Sequence, residues 1–253
     1  MQKFQDYHEY QVVLAQGILL PFLEQEGIDL RGRCVLDVGC GPGGFLDALA
    51  AQFQIEGLGI DYDEEMLAQR QHAPGIALEA ADFFSCKFHK HFDFILLRDV
   101  LEHCEGAAAM LERASALLTP EGMIYVTYSP YYSPFGGHQH NGSGFFSRVP
   151  YIQVLPEAIF LRMIQVRGNF YKTAVYLNED LKRIRRARLT TGAVKASCLR
   201  IGLSVRHRRV FIIRPDYRYM FGLPTLRMPS LFPLTSVLDP FCTSVELLLV
   251  KNA

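Results

Sequence analysis

Residues 36 to 45 read LDVGCGPGGF, and the chemistry open to such a stretch is ligand capture by backbone. Glycines let the chain turn tightly and approach a ligand, and a helix that follows presents N–H groups ready for an anion. Residues 39 to 44 satisfy G-x-G-x-x-G, a dinucleotide pattern that is weak evidence by itself. The residue that decides is Asp37, two positions before the first glycine. A carboxylate there repels a pyrophosphate and suits a ligand bearing an ammonium group.

S-adenosylmethionine carries an ammonium, a sulfonium, and a carboxylate for the backbone donors, so Asp37 favours this methyl donor over a dinucleotide. Methyl transfer is an in-line displacement in which alignment supplies most of the catalysis, and a hydroxyl acceptor must also lose its proton. Histidine suits that task near neutral pH. Three of the eight histidines are candidates: His103 in DVLEH, and His138 and His140 in FGGHQHN. His103 is equally open to a structural role at a helix start. The His-x-His spacing could suit a metal, but no carboxylate or cysteine stands nearby in sequence. Acid–base work is therefore the expectation, with no metal.

These residues need strand–turn–helix units to position them. CVLDVG, IEGLGID, FDFILLRD and MIYVTYS read as strands, and FLDALAAQF, DEEMLAQRQ and AAAMLERASALL as helices, the last closed by a turn at TPEG. A helix with a break near Pro21 precedes the first strand. NEDLKRIRRARLTTGAVKASCLRIGL is helical with a break near Thr191-Gly192, and SVRHRRVFII and TSVELLLVKNA are further strands. Alternation of this kind predicts βαβ units and a parallel sheet. Residues 131 to 203 interrupt the rhythm and are expected to form a lid over the carboxyl ends of the strands, where open α/β sheets bind ligands.

The 253 residues and the 49% apolar fraction fit one α/β domain with an insertion. Its expected parts are an N-terminal helical segment (1–33), a cofactor-binding half (34–130), the lid (131–203) and final strands (204–253). No apolar run reaches about 18 residues, the N-terminus is too polar for a signal peptide, and the six cysteines lack zinc spacing. A reduced cytoplasmic enzyme is the expectation. Through Pro130 there are 8 Lys+Arg against 20 Asp+Glu, and thereafter 18 against 6, so the halves carry −12 and +12. Either the C-terminal half meets an anionic partner or the halves attract one another.

VLDVGCGPGGF resembles the first motif of class I S-adenosylmethionine-dependent methyltransferases, and further matches follow in order. GLGIDYDEEML resembles the second-strand motif and implies that Asp61 holds the ribose hydroxyls, with Tyr62 beside it. AADFF resembles the adenine segment, which implies Asp82 and the Phe83 N–H as ring contacts. FDFILLRDVLEH and LLTPEGMIYVTYSP resemble the ubiquinone-pathway and sugar-modifying branch. The resemblance implies that Asp37, Gly39, Cys40, Gly41 and Gly43 cradle the donor, that the Arg98 carbonyl faces its ammonium, and that His103 lies near the methyl group. It also implies a Rossmann-like, doubly wound sheet of seven strands, mostly parallel, with the last antiparallel. SPYYSPFGGHQH, IIRPDYRYMFGLP and the final strand resemble uncharacterised bacterial members, which extends the likeness nearly end to end.

The expected function is methylation of a small molecule, on oxygen of a sugar, glycolipid precursor or secondary metabolite. Tyr131, Tyr132 and Phe135 could wall the acceptor pocket, together with Phe145, Phe146 and Tyr151, or merely glue the loop to the sheet. Arg183, with Arg185 and Arg186, could meet an anionic acceptor. A nucleic-acid methyltransferase using KRIRRAR and VRHRRV ranks lower, because no RNA-binding module or Asn-Pro-Pro-Tyr tetrad appears. A non-catalytic partner subunit and a nicotinamide oxidoreductase rank lower still. The apolar stretch 220–234 is open to an interface, a membrane-surface contact or a packed loop, and the oligomeric state is not legible.

Overall fold

The computed structural model describes residues 4–67, 72–166 and 174–252. Asp6 caps α1 (Tyr7–Leu14) by accepting the Glu9 N–H at 2.8 Å. The break predicted near Pro21 is instead a π turn, Ala15–Leu19, that runs on into α2 (Leu20–Gln25) with Pro21 in its first turn. The wider turn accommodates a residue that has no N–H and whose ring would strike the preceding turn's carbonyl.

Then come β1 (Cys34–Val38), α3 (Gly44–Phe53), β2 (Glu56–Asp61), α4 (Glu64–Leu67) and β3 (Ile76–Ala80). The helix predicted through Gln71 is seen to Leu67, and residues 68–71 lie outside the described residues. β4 (Phe92–Arg98), α5 (Ala107–Leu117) and β5 (Leu118–Tyr128) follow. The predicted TPEG turn lies inside β5, because Leu118 already pairs with Phe92 and a bulge absorbs the extra residues before Met123 meets Phe94. Beyond β5 come β6 (Gly142–Ser143), α6 (Glu157–Met163), β7 (Gln165–Val166), α7 (Ala174–Ala187), α8 (Thr191–Arg200), β8 (Leu203–Ile213), α9 (Asp216–Phe221), β9 (Leu226–Arg227) and β10 (Ser244–Lys251).

The sheet runs β3-β2-β1-β4-β5-β10-β8-β9, parallel from β3 to β5, with β10 antiparallel to both its neighbours. It has eight strands where seven were predicted. The extra one, β9, is two residues paired on the edge of β8, too short to leave a hydrophobic period. Alternate residues feed the two faces: Leu36, Ile95 and Leu247 pack with α5 and α8, while Val35, Phe94 and Leu248 pack with α1, α2 and α3. Both faces are covered, so the strands read as continuous apolar runs.

Two further expectations change. The helix break falls at 188–190, where Thr190 caps α8 by accepting the Ala193 N–H. α8 buries Val194 and Cys198 in the core beside α5 and so belongs to the sheet packing, which ends the lid-like insertion near residue 190. Residues 167–173 of that insertion lie outside the described residues. Among the described residues no helix is long and apolar enough to cross a membrane. In the stretch 220–234, Phe221, Leu223, Leu226, Leu231 and Phe232 are exposed and Leu234 is buried.

One buried ion pair stands apart from the ligand-facing side. Glu246 on β10, 2% exposed, accepts the Tyr125 hydroxyl at 2.6 Å and pairs with Arg209, which lies over the Phe22 ring. Glu246→Ala leaves the arginine buried without its partner and should cost about 3–5 kcal/mol in chemical denaturation. A loss under about 1 kcal/mol would show that water reaches the arginine.

Candidate functional site

The glycine loop is held from three sides. The Gly39 and Cys40 N–H groups donate to the Ile60 carbonyl at 2.8 and 3.1 Å, and the Gly41 N–H donates to Asp61 Oδ2 at 2.9 Å. Gln11 of α1, 6% exposed, donates to the Cys40 carbonyl at 3.0 Å and accepts the Gly44 N–H at 2.9 Å. Gly39 and Gly43 have φ of +72° and +79°, which side-chain-bearing residues rarely adopt. A Cβ on Gly44 would lie 2.6 Å from the His8 carbonyl, so this glycine lets α1 seat on α3.

The loop opens on a cleft of about 1190 Å³ at the carboxyl ends of the parallel strands. Asp37 lines it, 3% exposed, and among the described residues it makes no ion pair. Burial, with Asp61 nearby, pushes its carboxyl up to about 8 although Arg98 opposes the shift. Asp61 and Asp63 line the same end, which therefore suits a cation and repels a phosphate.

The floor is an ion network. Arg98, at the end of β4, stacks 4.2 Å from the Phe45 ring centroid and reaches Asp99 at 3.3 Å and Asp216 at 3.4 Å. Arg214, just past β8, contacts both aspartates at 2.7 Å. Burial would raise Asp99, but Arg214 and then Arg98 outweigh it and hold the carboxyl below the usual range. Asp99 has φ of +51°, a left-handed conformation that this network holds.

Beyond Asp99 the turn Leu101–His103 brings a second group into the cleft. The His103 and His138 rings lie 4.9 Å apart, and those of His138 and His140 5.4 Å apart. Burial, then His103 and His140, keep His138 well below the ordinary imidazole value, and burial with Arg214 and His103 lowers His140 to about 4. Both rings are neutral at pH 7 and able to accept a proton. His103 Nδ1 lies 2.7 Å from Asp180 Oδ1 on α7. Glu102, 1% exposed, accepts the Ser129 N–H at 3.0 Å through Oε1, while its buried Oε2 has no hydrogen-bond partner among the described residues. Burial and Asp99 raise its carboxyl to about 7. Donor atoms of Glu102, His103 and His138 all lie within 4.8 Å of one another, a set able to hold a divalent ion.

Eleven sequence-predicted residues meet in this cleft: Asp37, Gly39, Gly41, Asp61, Tyr62, Arg98, His103, Phe135, His138, His140 and Phe145, whereas Phe146 and Tyr151 do not line it. Cys40, Gly43, Asp82 and Phe83 do not line it, and the Asp82 carboxylate accepts the Phe84 N–H at 2.6 Å in its own turn. Tyr131 is buried away from the cleft with its hydroxyl donating to the Gln153 carbonyl at 2.6 Å, and Tyr132 lies outside the lining too. Tyr131 thus acts as glue for the loop, and Tyr132 is exposed with its ring edge-on to Tyr131. Gly136 and Gly137 serve that loop's own packing: a Cβ would lie 2.1 Å from the Pro130 carbonyl and 2.2 Å from Gln153 Cβ. Arg183 also lies outside the lining, 6.0 Å over the Tyr62 ring. The Arg98 side chain, expected to matter little, anchors the floor. Gln11, Glu102, Asp180, Arg214 and Asp216 were missed, since no local motif marks a residue whose partner is far along the chain.

With this geometry in view, the comparisons are specific. Residues 7–156 match a family model described as a methyltransferase domain. An uncharacterized methyltransferase of Mycobacteroides abscessus is 32% identical over 136 residues, covering 49% of this chain and 50% of its own. A ubiquinone biosynthesis O-methyltransferase of Coxiella burnetii is 32% identical over 118 residues, covering 44% and 50%. The chain thus spans about half the length of the curated relatives it matches. The plantazolicin methyltransferase BpumL, solved with a triazolic desmethylPZN analog and SAH, shares the fold at TM-score 0.55 and 17% identity, over 96% of this chain and 86% of its own. The family match covers more than half of the chain and the sheet, glycine loop and following acids agree with it: the chain belongs to the class I S-adenosylmethionine-dependent methyltransferases.

Proposed function

We propose that the protein transfers the methyl group of S-adenosylmethionine to a hydroxyl of a small-molecule acceptor, such as a sugar, glycolipid precursor or secondary metabolite. The observation that carries this reading is a single cleft with, at one end, a buried carboxylate, Asp37, that has no ion pair among the described residues and, at the other, three histidines. The donor, when bound, supplies an electrophilic methyl group on a sulfonium. Asp37 takes its ammonium, Asp61 its ribose hydroxyls, and the glycine loop approaches it by backbone. Asp82 and the Phe83 N–H, as adenine contacts, rest on the resemblance alone. A neutral imidazole removes the acceptor's proton, and His103 is the best placed because it is both in the cleft and oriented by a carboxylate. Oxygen as the target is supported by the similarity to the Coxiella O-methyltransferase.

A second reading is favoured by the orphaned Glu102 Oε2: a divalent ion held by Glu102, His103 and His138 that polarises the acceptor hydroxyl. Calorimetric titration of chelator-treated protein with Mg²⁺, Mn²⁺ or Zn²⁺ should then show one equivalent taken up, lost in Glu102→Gln. No uptake leaves the acid–base reading alone.

Calorimetry should show binding of S-adenosylmethionine and SAH but not NADH or NADPH, weakened by about 1–3 kcal/mol in Asp61→Ala. Tight NADH binding without response to SAH contradicts the proposal. His103→Ala should keep SAH affinity and lose turnover by about 10²–10⁴-fold once the acceptor is found.

Asp37 also makes a signed claim about pH. Its carboxyl is raised in the ligand-free fold, so its contribution to stability is full below pH 4 and is lost as pH rises toward 8. Asp37→Asn removes that loss. The variant's melting temperature should exceed that of the wild type by a margin that grows between pH 4 and 8, roughly 2–4 °C for each kcal/mol recovered, while SAH binding weakens. A margin flat in pH would show that Asp37 is ionised and solvated.

A further inference from the structure

A second cluster of ligating side chains stands outside the cleft, where α1 packs on α3. Three separate elements contribute to it: His8 from the first turn of α1, Asp47 from the first turn of α3, and His72 from the segment ahead of β3. Asp47 Oδ2 lies 2.7 Å from His8 Nε2 and 3.0 Å from His72 Nδ1. Its other oxygen, Oδ1, accepts the Ala73 N–H at 2.9 Å, which holds the carboxylate with Oδ2 toward both rings. Ligand atoms of the three residues lie within 4.8 Å of one another, and none of the three lines the cleft. The side chains are between 11% and 14% exposed, enough for an ion and a water to reach them.

We propose that His8, Asp47 and His72 form a site for one divalent transition-metal ion of the zinc class, which staples α1 to α3 and to the chain entering β3. The site stands independently of the methyl-transfer reading. Two imidazoles and a carboxylate are a donor set that zinc takes, whereas Mg²⁺ and Ca²⁺ prefer sites built of oxygen. Zinc bonds of about 2.0–2.2 Å set tetrahedral donors about 3.3–3.5 Å apart, so the cluster need open by only about half an ångström. On binding, the proton each ring holds toward Asp47 moves through solvent to that ring's other nitrogen, and the freed lone pairs and Oδ2 bond the ion. Water fills the fourth position. His72 Nε2 is buried and has no hydrogen-bond partner among the described residues, so it is unsatisfied in either tautomer and does not oppose the shift. The staple bears on the glycine loop. A Cβ on Gly43 would lie 3.2 Å from His72 Cε1 and one on Gly44 2.6 Å from the His8 carbonyl, while Gln11, three residues on from His8, holds the backbone of Cys40 and Gly44.

The test is calorimetric titration of the chelator-treated full chain with Zn²⁺ in the Glu102→Gln background, which breaks the set Glu102, His103 and His138. One equivalent should bind, and the melting temperature should rise with it. In the wild type any equivalent held at Glu102 adds to this one. His8→Gln or His72→Gln, each made in the Glu102→Gln background, should lose the uptake and the rise in melting temperature. X-ray absorption at the zinc edge of the loaded Glu102→Gln chain should show two imidazoles bound to the ion. No uptake by the Glu102→Gln chain overturns the inference. So does uptake that survives both His8→Gln and His72→Gln, which would place the ion on other histidines, and so does Mg²⁺ binding as tightly as Zn²⁺. The Glu102→Gln titration and the X-ray spectrum decide even if a histidine variant fails to fold.

Discussion

Two arginines and two aspartates under the cleft fix where everything else stands. Arg98 ends β4 and Asp99 follows it, Arg214 and Asp216 follow β8, and each arginine contacts both aspartates. The strands they join are separated in the sheet by β5 and β10, so the network ties the parallel half to the antiparallel half from above. It also holds Asp99 at its positive φ, and from there the chain turns into Leu101–His103. With opposite charges matched two to two, the cost of removing them from water is offset by mutual attraction in a poorly solvated site. The −12 and +12 of the two halves meet here, and again at Arg186–Glu105.

The cleft above this floor is divided by charge. At the glycine-loop end Asp37, Asp61 and Asp63 make a place for a cation, and burial pushes the Asp37 carboxyl up to about 8. At the other end His103, His138 and His140 line the cleft, and burial holds His138 and His140 below the ordinary imidazole value. An ammonium at one end and a hydroxyl proton at the other are complementary demands: burial keeps the His138 and His140 imidazoles neutral, whereas at Asp37 it opposes the ionisation that a bound ammonium would favour. The donor end is rigid because Gln11 and Asp61 bind the loop backbone directly. The acceptor end depends on a loop braced by Gln139 and Gln153, both fully buried and linked at 3.1 Å.

What the sequence made legible was local. Asp37, Gly39 and Gly41 follow from the glycine pattern at the end of β1, and Asp61 from the resemblance of the second-strand motif; all four line the cleft. The π turn at Pro21 and the start of β5 at Leu118 were not legible, because each depends on what the neighbouring element needs. The lid was drawn too long for a similar reason: the amphipathic pattern of α8 does not say whether its apolar side faces a ligand or the sheet. Glu102 was read only as part of a motif, and Asp180 not at all, since its partner lies 77 residues away. The His-x-His spacing drew attention to His138 and His140, whereas the carboxylate contact falls on His103.

The central claim is that Asp37 and the glycine loop hold a sulfonium amino acid rather than a pyrophosphate. Native mass spectrometry of the purified chain, with SAH and NADH offered together at equal concentration, tests it most directly. The account requires a one-to-one complex with SAH that vanishes in an Asp37→Ala, Asp61→Ala double variant. A complex with NADH, or no complex with SAH at any concentration, would contradict it.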